Sequence, residues 1–479
     1  MKAILKSAVS LSVILTLILV FFPESVFASA DEIAVIQPDA EKVALNVSCQ
    51  GVPSNQLSGM VDGNYYSAFQ IARNVRIECK ASVPVRSLYV MLEKSCEWTL
   101  SFPDGTEKKC GENGFLHEYI YLEIESNVFY IDLPAAIGIT EVYAFTEGKL
   151  PDWVQIWQPP CKRADLMVMP AHADDEHLWF GGAMPYYAGE LGYNVQVVYL
   201  TDHYKSPYRK HELLNGLWTV GVRNYPVLTD KFPDELKTKW SLEGAEEVFG
   251  RDNVIEFEVE MLRRFAPRVV IAHDINGEYG HGAHKLYAAA LLDALKIYDD
   301  PTAYPDSTQK YGVRKVQKCY FHLWEENPIV VNWSEMSLSH FGGQSAFDMA
   351  LTGYKCHRSQ QRFNIVMEES GPNDCRKFGL AYTTVGLDTP GLNDMFEHVD
   401  MTDEEADNSI EQENPDAAKQ KAESVSETDA SSKTRTSDKK FRITLFGKEL
   451  MINDVVVAAA AVIVSFTAII SVICLKRRE

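Results

Sequence analysis

Pro170-Ala171-His172-Ala173-Asp174-Asp175-Glu176-His177-Leu178-Trp179-Phe180-Gly181-Gly182 follows directly on a short apolar run, residues 164–169. A second apolar run, 269–272, leads into His273-Asp274-Ile275-Asn276-Gly277-Glu278-Tyr279-Gly280-His281-Gly282-Ala283-His284. Each segment reads as a strand delivering polar residues to a loop just before a helix. Together they offer His172, Asp175 and His284 as ligands, and three protein ligands with one open position suit a catalytic zinc. Asp174 and His281 are left over for acid and base work. Taken alone, the acidic residues after His172 would equally suit the first turn of a solvated helix, facing the positive end of its dipole. A second histidine motif, opening another helix after another strand, favours a metal site.

Outward from these motifs, strands and helices alternate. Strands are expected at 166–169, 195–200, 269–272 and 320–324, and helices at 175–189, 209–220, 254–265, 283–297 and 344–349. That alternation predicts a Rossmann-like α/β domain over 161–400 with a mostly parallel sheet and helices on both faces. Ligands of such sheets bind beyond the carboxyl ends of the strands, where both motifs lie. Gly181-Gly182 makes no phosphate loop, and no dinucleotide fingerprint occurs. Residues 31–150 instead show short alternating runs, such as 75–78, 87–92, 119–124 and 129–133, separated by turn residues. They predict an all-β sandwich. Pro151 and Pro159-Pro160 mark the boundary.

The ends suggest a multi-domain chain tied to a membrane. Residues 1–30 have the charged start, apolar stretch and small-residue site of a secretory signal. Residues 401–440 are rich in Asp, Glu, Ser, Thr and Lys, the composition of a disordered stalk. Residues 455–475 carry no charge and precede Lys476-Arg477-Arg478, which predicts a C-terminal transmembrane helix with a short cytoplasmic tail and an extracellular body. The net charge of −21 argues against a nucleic-acid partner. Eight cysteines precede the apolar segment and one, Cys474, lies within it. Cys96 and Cys110 flank a predicted hairpin turning at Pro103-Asp104-Gly105, so an oxidising compartment would pair them. Free buried thiols are the alternative.

The two motifs resemble those of the zinc-dependent N-acetylglucosaminyl deacetylases, the PIG-L/LmbE-like family: a His-x-Asp-Asp-Glu followed by a glycine pair, and a His-x-x-His after Tyr-Gly. Arg209-x-x-Glu212 and Leu217-x-x-x-Gly221-Val222 fit the intervening helix. The resemblance implies His172, Asp175 and His284 as zinc ligands, Asp174 as base, and His281 and Tyr279 at the oxyanion. It also puts Glu176 behind the ligands. Iron or cobalt could replace zinc in such a nitrogen and oxygen set. Gly282-Ala283 stands where many members have Pro-Asp, so the carboxylate that would tune His281 is missing. Asp202, Arg209 and Glu278 are further candidates for supporting the ligands or touching substrate, and His273 or Asp274 for orienting a ligand. His177, His203 and His211 are expected on the surface. Residues 60–64 and 139–145 resemble parts of galactose-binding-like modules, which implies a sugar-binding or bracing role for the first domain. The reading is then a membrane-anchored zinc hydrolase that removes acetyl groups from N-acetylated amino sugars of a glycan. A zinc amidase for another N-acyl compound and an idle glycan-binding surface protein remain alternatives.

Overall fold

The computed structural model describes residues 38–402, except 202 and 204, together with the backbone of two strands at 442–445 and 448–451. The chain divides into two compact units, 1–405 and 406–479. In the first unit, β1 (Lys42–Val43), β2 (Leu45–Cys49), β3 (Phe69–Gln70), β4 (Val75–Leu92), β5 (Trp98–Ser101), β6 (Glu107–Cys110), β7 (His117–Leu133) and β8 (Gly138–Phe145) form one eight-stranded antiparallel sheet. The runs read from sequence as separate strands are halves of longer ones: β4 has 18 residues and β7 has 17. Their pairing shifts register on both sides of Val85. Bulges of this kind bend a strand and increase its twist. Both halves feed one core, with Ile77, Leu88, Ile120, Ile131 and Ile139 buried in it.

The second sheet runs in the order β11 (Val227–Leu228), β10 (Val195–Tyr199), β9 (Leu166–Met169), β12 (Val269–Ala272), β13 (Lys318–His322), β17 (Lys377–Thr383), β14 (Pro328–Val330). The five strands from β11 to β13 are parallel, whereas β17 and β14 pair antiparallel. A short ribbon, β15 (Ser337–Leu338) and β16 (Gln344–Ser345), lies off this sheet. Alternate residues of the central strands enter separate cores on the two faces, Val168 and Ile271 on one, Met167, Met169 and Val270 on the other. This is the two-residue side-chain period of a strand buried on both sides.

The expected fold class needs correcting on three points. The first region is one continuous sheet, not two stacked ones, because β4 and β7 carry the chain across what read as turns. The second sheet is mixed, because β17 and β14 join it antiparallel beyond β13. And no helix among the described residues is long and apolar enough to cross a membrane. The single-pass topology, with extracellular body and cytoplasmic tail, is therefore not upheld. It rested on the hydropathy of 455–475, the basic residues 476–478 and the signal-like start. What is described of the second unit is a hairpin of β18 (Arg442–Leu445) and β19 (Lys448–Met451). The expected signal (1–30), most of the stalk and the apolar segment 455–475 lie outside the described residues.

Two local corrections follow. The helix expected over 175–189 breaks into α1 (Asp175–Leu178) and a π-helical turn, Pro185–Glu190. Gly181 (φ +55°) and Gly182 interrupt it: a Cβ on Gly181 would sit 2.5 Å from Trp333 Nε1, and one on Gly182 2.6 Å from Ala346 Cβ. Second, β5 and β6 do form the hairpin, but Cys96 and Cys110 are both free. The register sets Cys110 opposite Trp98, leaving Cys96 beyond the ladder. Burial pushes the Cys110 thiol up to about 12.

Candidate metal centre and cleft

Ala272 pairs with Met169 at the ends of β9 and β12. The two polar loops therefore leave the sheet side by side, one entering α1 and the other entering α4 (Gly282–Ala294). Gly282 lets the start of α4 lie close against Ser241, since a Cβ there would lie 2.0 Å from the Ser241 carbonyl oxygen. No proline or larger residue fits that position without moving the backbone.

His172, Asp175 and His284 converge. His172 Nδ1 is 3.1 Å from Asp175 Oδ2 and 3.2 Å from His284 Nε2, which is itself 3.1 Å from Asp175 Oδ2. A tetrahedral ion about 2.0–2.1 Å from such ligands has edges of roughly 3.3 Å between them. Hydrogen bonds orient two of these three ligands. His284 Nδ1 donates to Glu278 Oε2 at 2.8 Å, so in the neutral ring the lone pair is on Nε2, facing Asp175. Asp175 is oriented by Trp179 Nε1, which donates to Oδ1 at 2.8 Å, and by the His172 amide, which donates to Oδ2 at 2.7 Å. Facing lone pairs of this kind suit a divalent cation. His273 also lies close, but both its nitrogens are committed: Nε2 accepts from the Ala171 amide and Nδ1 donates to Glu278, each at 2.8 Å.

Asp174 stands beside this set without bonding to it. Its backbone is strained (φ 110°, ψ −30°), a conformation that persists only where the surroundings impose it. The Asp174 amide donates to Glu176 Oε2 at 2.7 Å, and the Ala173 amide to His203 Nε2 at 2.9 Å. Arg209 donates to the Ala173 carbonyl and lies 3.4 Å from Asp174 Oδ1. Burial lifts the Asp174 carboxyl to about 7 against the opposing pull of Arg209. That range suits a group that both takes and returns a proton.

His281 accepts from the Ala283 amide through Nδ1 at 3.2 Å, so a neutral ring carries its proton on Nε2. Burial, then the neighbouring His172 and His284, holds it well below the usual histidine range. Its ring lies 4.7 Å from that of His172. Tyr279, in a left-handed conformation (φ 44°) and half exposed, stands edge-on to His281 at 5.6 Å. These residues line a cleft of about 670 Å³, walled by Asp234, Glu235 and Leu236 and by residues between 360 and 373.

The structure thus brings together all the named candidates except Asp202, which lies outside the described residues. Arg209 lines the cleft while also holding the Asp174 loop. Glu278 accepts from His273, His284 and His322, each at 2.8 Å. His322 and Asp234 were missed, because each comes from a segment with no motif of its own. His177, His203 and His211 are buried, not on the surface.

Residues 167–295 match the profile of the family described as PIG-L: GlcNAc-PI de-N-acetylase. A 1D-myo-inositol 2-acetamido-2-deoxy-alpha-D-glucopyranoside deacetylase 2 of Saccharopolyspora erythraea is 30% identical over 173 residues, 31% of this chain and 63% of that protein. A similarly named deacetylase of Streptomyces scabiei is 26% identical over 180 residues, 32% of this chain and 54% of that protein. The chain thus spans less than two thirds of either relative's length. Among solved structures, an N,N'-diacetylchitobiose deacetylase from Pyrococcus horikoshii aligns over 42% of this chain and 72% of its own, at 17% identity and a TM-score of 0.30. Residues 167–295 of this chain thus match the PIG-L family, and the relatives they resemble in sequence are named as deacetylases.

Proposed function

We propose that this protein removes the acetyl group from an N-acetylated amino sugar, using a divalent metal, zinc foremost, held by His172, Asp175 and His284. The observation that carries the reading is the triad of ligand atoms 3.1–3.2 Å apart with the unbonded carboxylate of Asp174 beside it. The deacetylase names of the sequence relatives support the amino-sugar class. A divalent ion there supplies Lewis acidity to the amide carbonyl and lowers the pKa of water. Asp174 takes a proton from the attacking water and returns it to the nitrogen as the C–N bond breaks, which releases acetate and a free amine. His281, with its proton on Nε2, donates to the oxyanion, and Tyr279 flanks it. Arg209 keeps Asp174 in place. Iron or cobalt would be accepted by the same ligands.

The N-terminal sheet, in its galactose-binding-like reading, has a bracing part in this proposal. Tyr66 donates to Glu212 on α2 (Tyr208–Thr219), the helix that also carries Arg209. His117 Nε2 meets His211 Nδ1 at 2.8 Å. The test is acetate release from a panel of N-acetylated amino sugars set beside N-acyl amino acids. Release from the sugars alone is expected; release from the amino acids alone would replace the sugar with another N-acyl substrate.

A further inference from the structure

A second cluster of metal-binding groups lies behind the cleft. Asp175 and Glu176 are neighbours in sequence but turn to different partners. Asp175 faces His172 and His284, whereas Glu176 faces His177 and His357, and all three residues of this second set are fully buried. Glu176 Oε1 lies 2.8 Å from His357 Nε2 and 3.7 Å from His177 Nε2. One ligand atom from each residue falls within 4.8 Å of the others.

Glu176 Oε1 and His357 Nε2 face each other as a buried ion pair, while both ring nitrogens of His177 and Nδ1 of His357 make no hydrogen bond. Folded proteins leave only a few buried polar atoms unpaired, so their gathering beside a buried carboxylate is informative. The space between the rings is also kept clear. A Cβ on Gly216 would sit 2.8 Å from His177 Nε2 and 3.2 Å from His357 Nε2. A Cβ on Gly353 would sit 2.3 Å from His177 Cε1. The two glycines come from α2 and from α5 (Ala346–Tyr354) and meet at the cluster.

From this juxtaposition we propose that Glu176, His177 and His357 bind a second divalent metal ion, structural in role. Two imidazoles and a carboxylate form a donor set that zinc accepts, and one that iron and cobalt share. Such an ion would satisfy the buried lone pairs and join α1 to the turn that follows α5. It would also fix Glu176, whose other oxygen holds the amide of the strained Asp174. The ion would therefore brace the base without touching the substrate.

The experiment is zinc content per chain by elemental analysis. Purified full-length protein is loaded with zinc and desalted, as wild type, His284→Ala and His357→Ala. The expected contents are two, one and one. A wild-type content of one, lost in His284→Ala and kept in His357→Ala, would overturn the second site. It would mean that Glu176 and His357 form an ion pair or share a water. The converse, one zinc lost only in His357→Ala, would uphold this site and sink the one in the cleft. Should His357→Ala not fold, an anomalous map at the zinc edge on wild-type crystals decides. A peak between Glu176, His177 and His357 is expected, and a map with a peak in the cleft alone overturns the proposal.

Discussion

Glu278→Gln tests how the ligands are held. Glu278 is 1% exposed. Its Oε2 accepts from His273 and His284, and its Oε1 from His322 and the Asp274 amide at 3.1 Å. The His273 tautomer is fixed, since its Nε2 already accepts from Ala171. Whichever way the glutamine amide lies, its NH2 group meets an obligatory donor: the His273 N–H on one side, the Asp274 N–H on the other. Each opposed buried donor costs about 1–3 kcal/mol. Losing the bond that orients His284 should weaken metal binding by about 10–100-fold, or about 1.4–2.7 kcal/mol. The assay is zinc competition against a chromophoric chelator, with thermal unfolding of the metal-free protein alongside. Zinc affinity within about twofold of wild type, together with an unchanged metal-free Tm, would refute the idea that this carboxylate sets the ligand's tautomer.

Asp174→Asn should keep its metal and lose turnover by roughly 10²–10⁴, whereas Asp175→Asn should lose metal as well; paired metal content and rate would show the roles exchanged if the pattern reversed. Gly282→Ala should destabilise by about 1–3 kcal/mol, because its methyl meets the Ser241 carbonyl; a denaturant midpoint equal to wild type would contradict the close approach. Acid should loosen the contact between the N-terminal sheet and α2. Burial lowers His117 to about 3, while an unfolded histidine titrates near 6.5. The stabilisation is thus complete above about pH 6.5 and lost as pH falls toward 3, at up to about 1.4 kcal/mol per pH unit. Urea midpoints between pH 7 and 4 check this, and His117→Gln should flatten the slope.

The motifs around His172 and His284 were legible because each follows an apolar strand core, and β9 and β12 then lie in adjacent register. Sequence periodicity located four of the five parallel strands and the helices α2 and α4 to within a few residues; the two-residue β11 is too short to show a pattern. It could not show that β4 and β7 continue through Val85 and Ser126, since a bulge leaves alternation broken. Nor could it show His322 reaching Glu278, or His357 reaching Glu176, across 44 and 181 positions: the first separation is a contact set by sheet order, the second by α5 packing on α1. His177 looked like a surface residue because α1 is a single turn, too short for a periodic pattern to reveal that every side of it is buried. Hydropathy at 455–475 suggested a membrane helix that the described structure does not contain.

Acetate release from an N-acetylglucosaminyl substrate by the full-length protein, before metal stripping, after it, and after zinc is restored, tests the central claim most directly. Release by the native protein, none after stripping, and recovery with zinc that His284→Ala cannot share are the expected results. Full activity in the stripped protein, or recovery in His284→Ala equal to that of wild type, would contradict that claim.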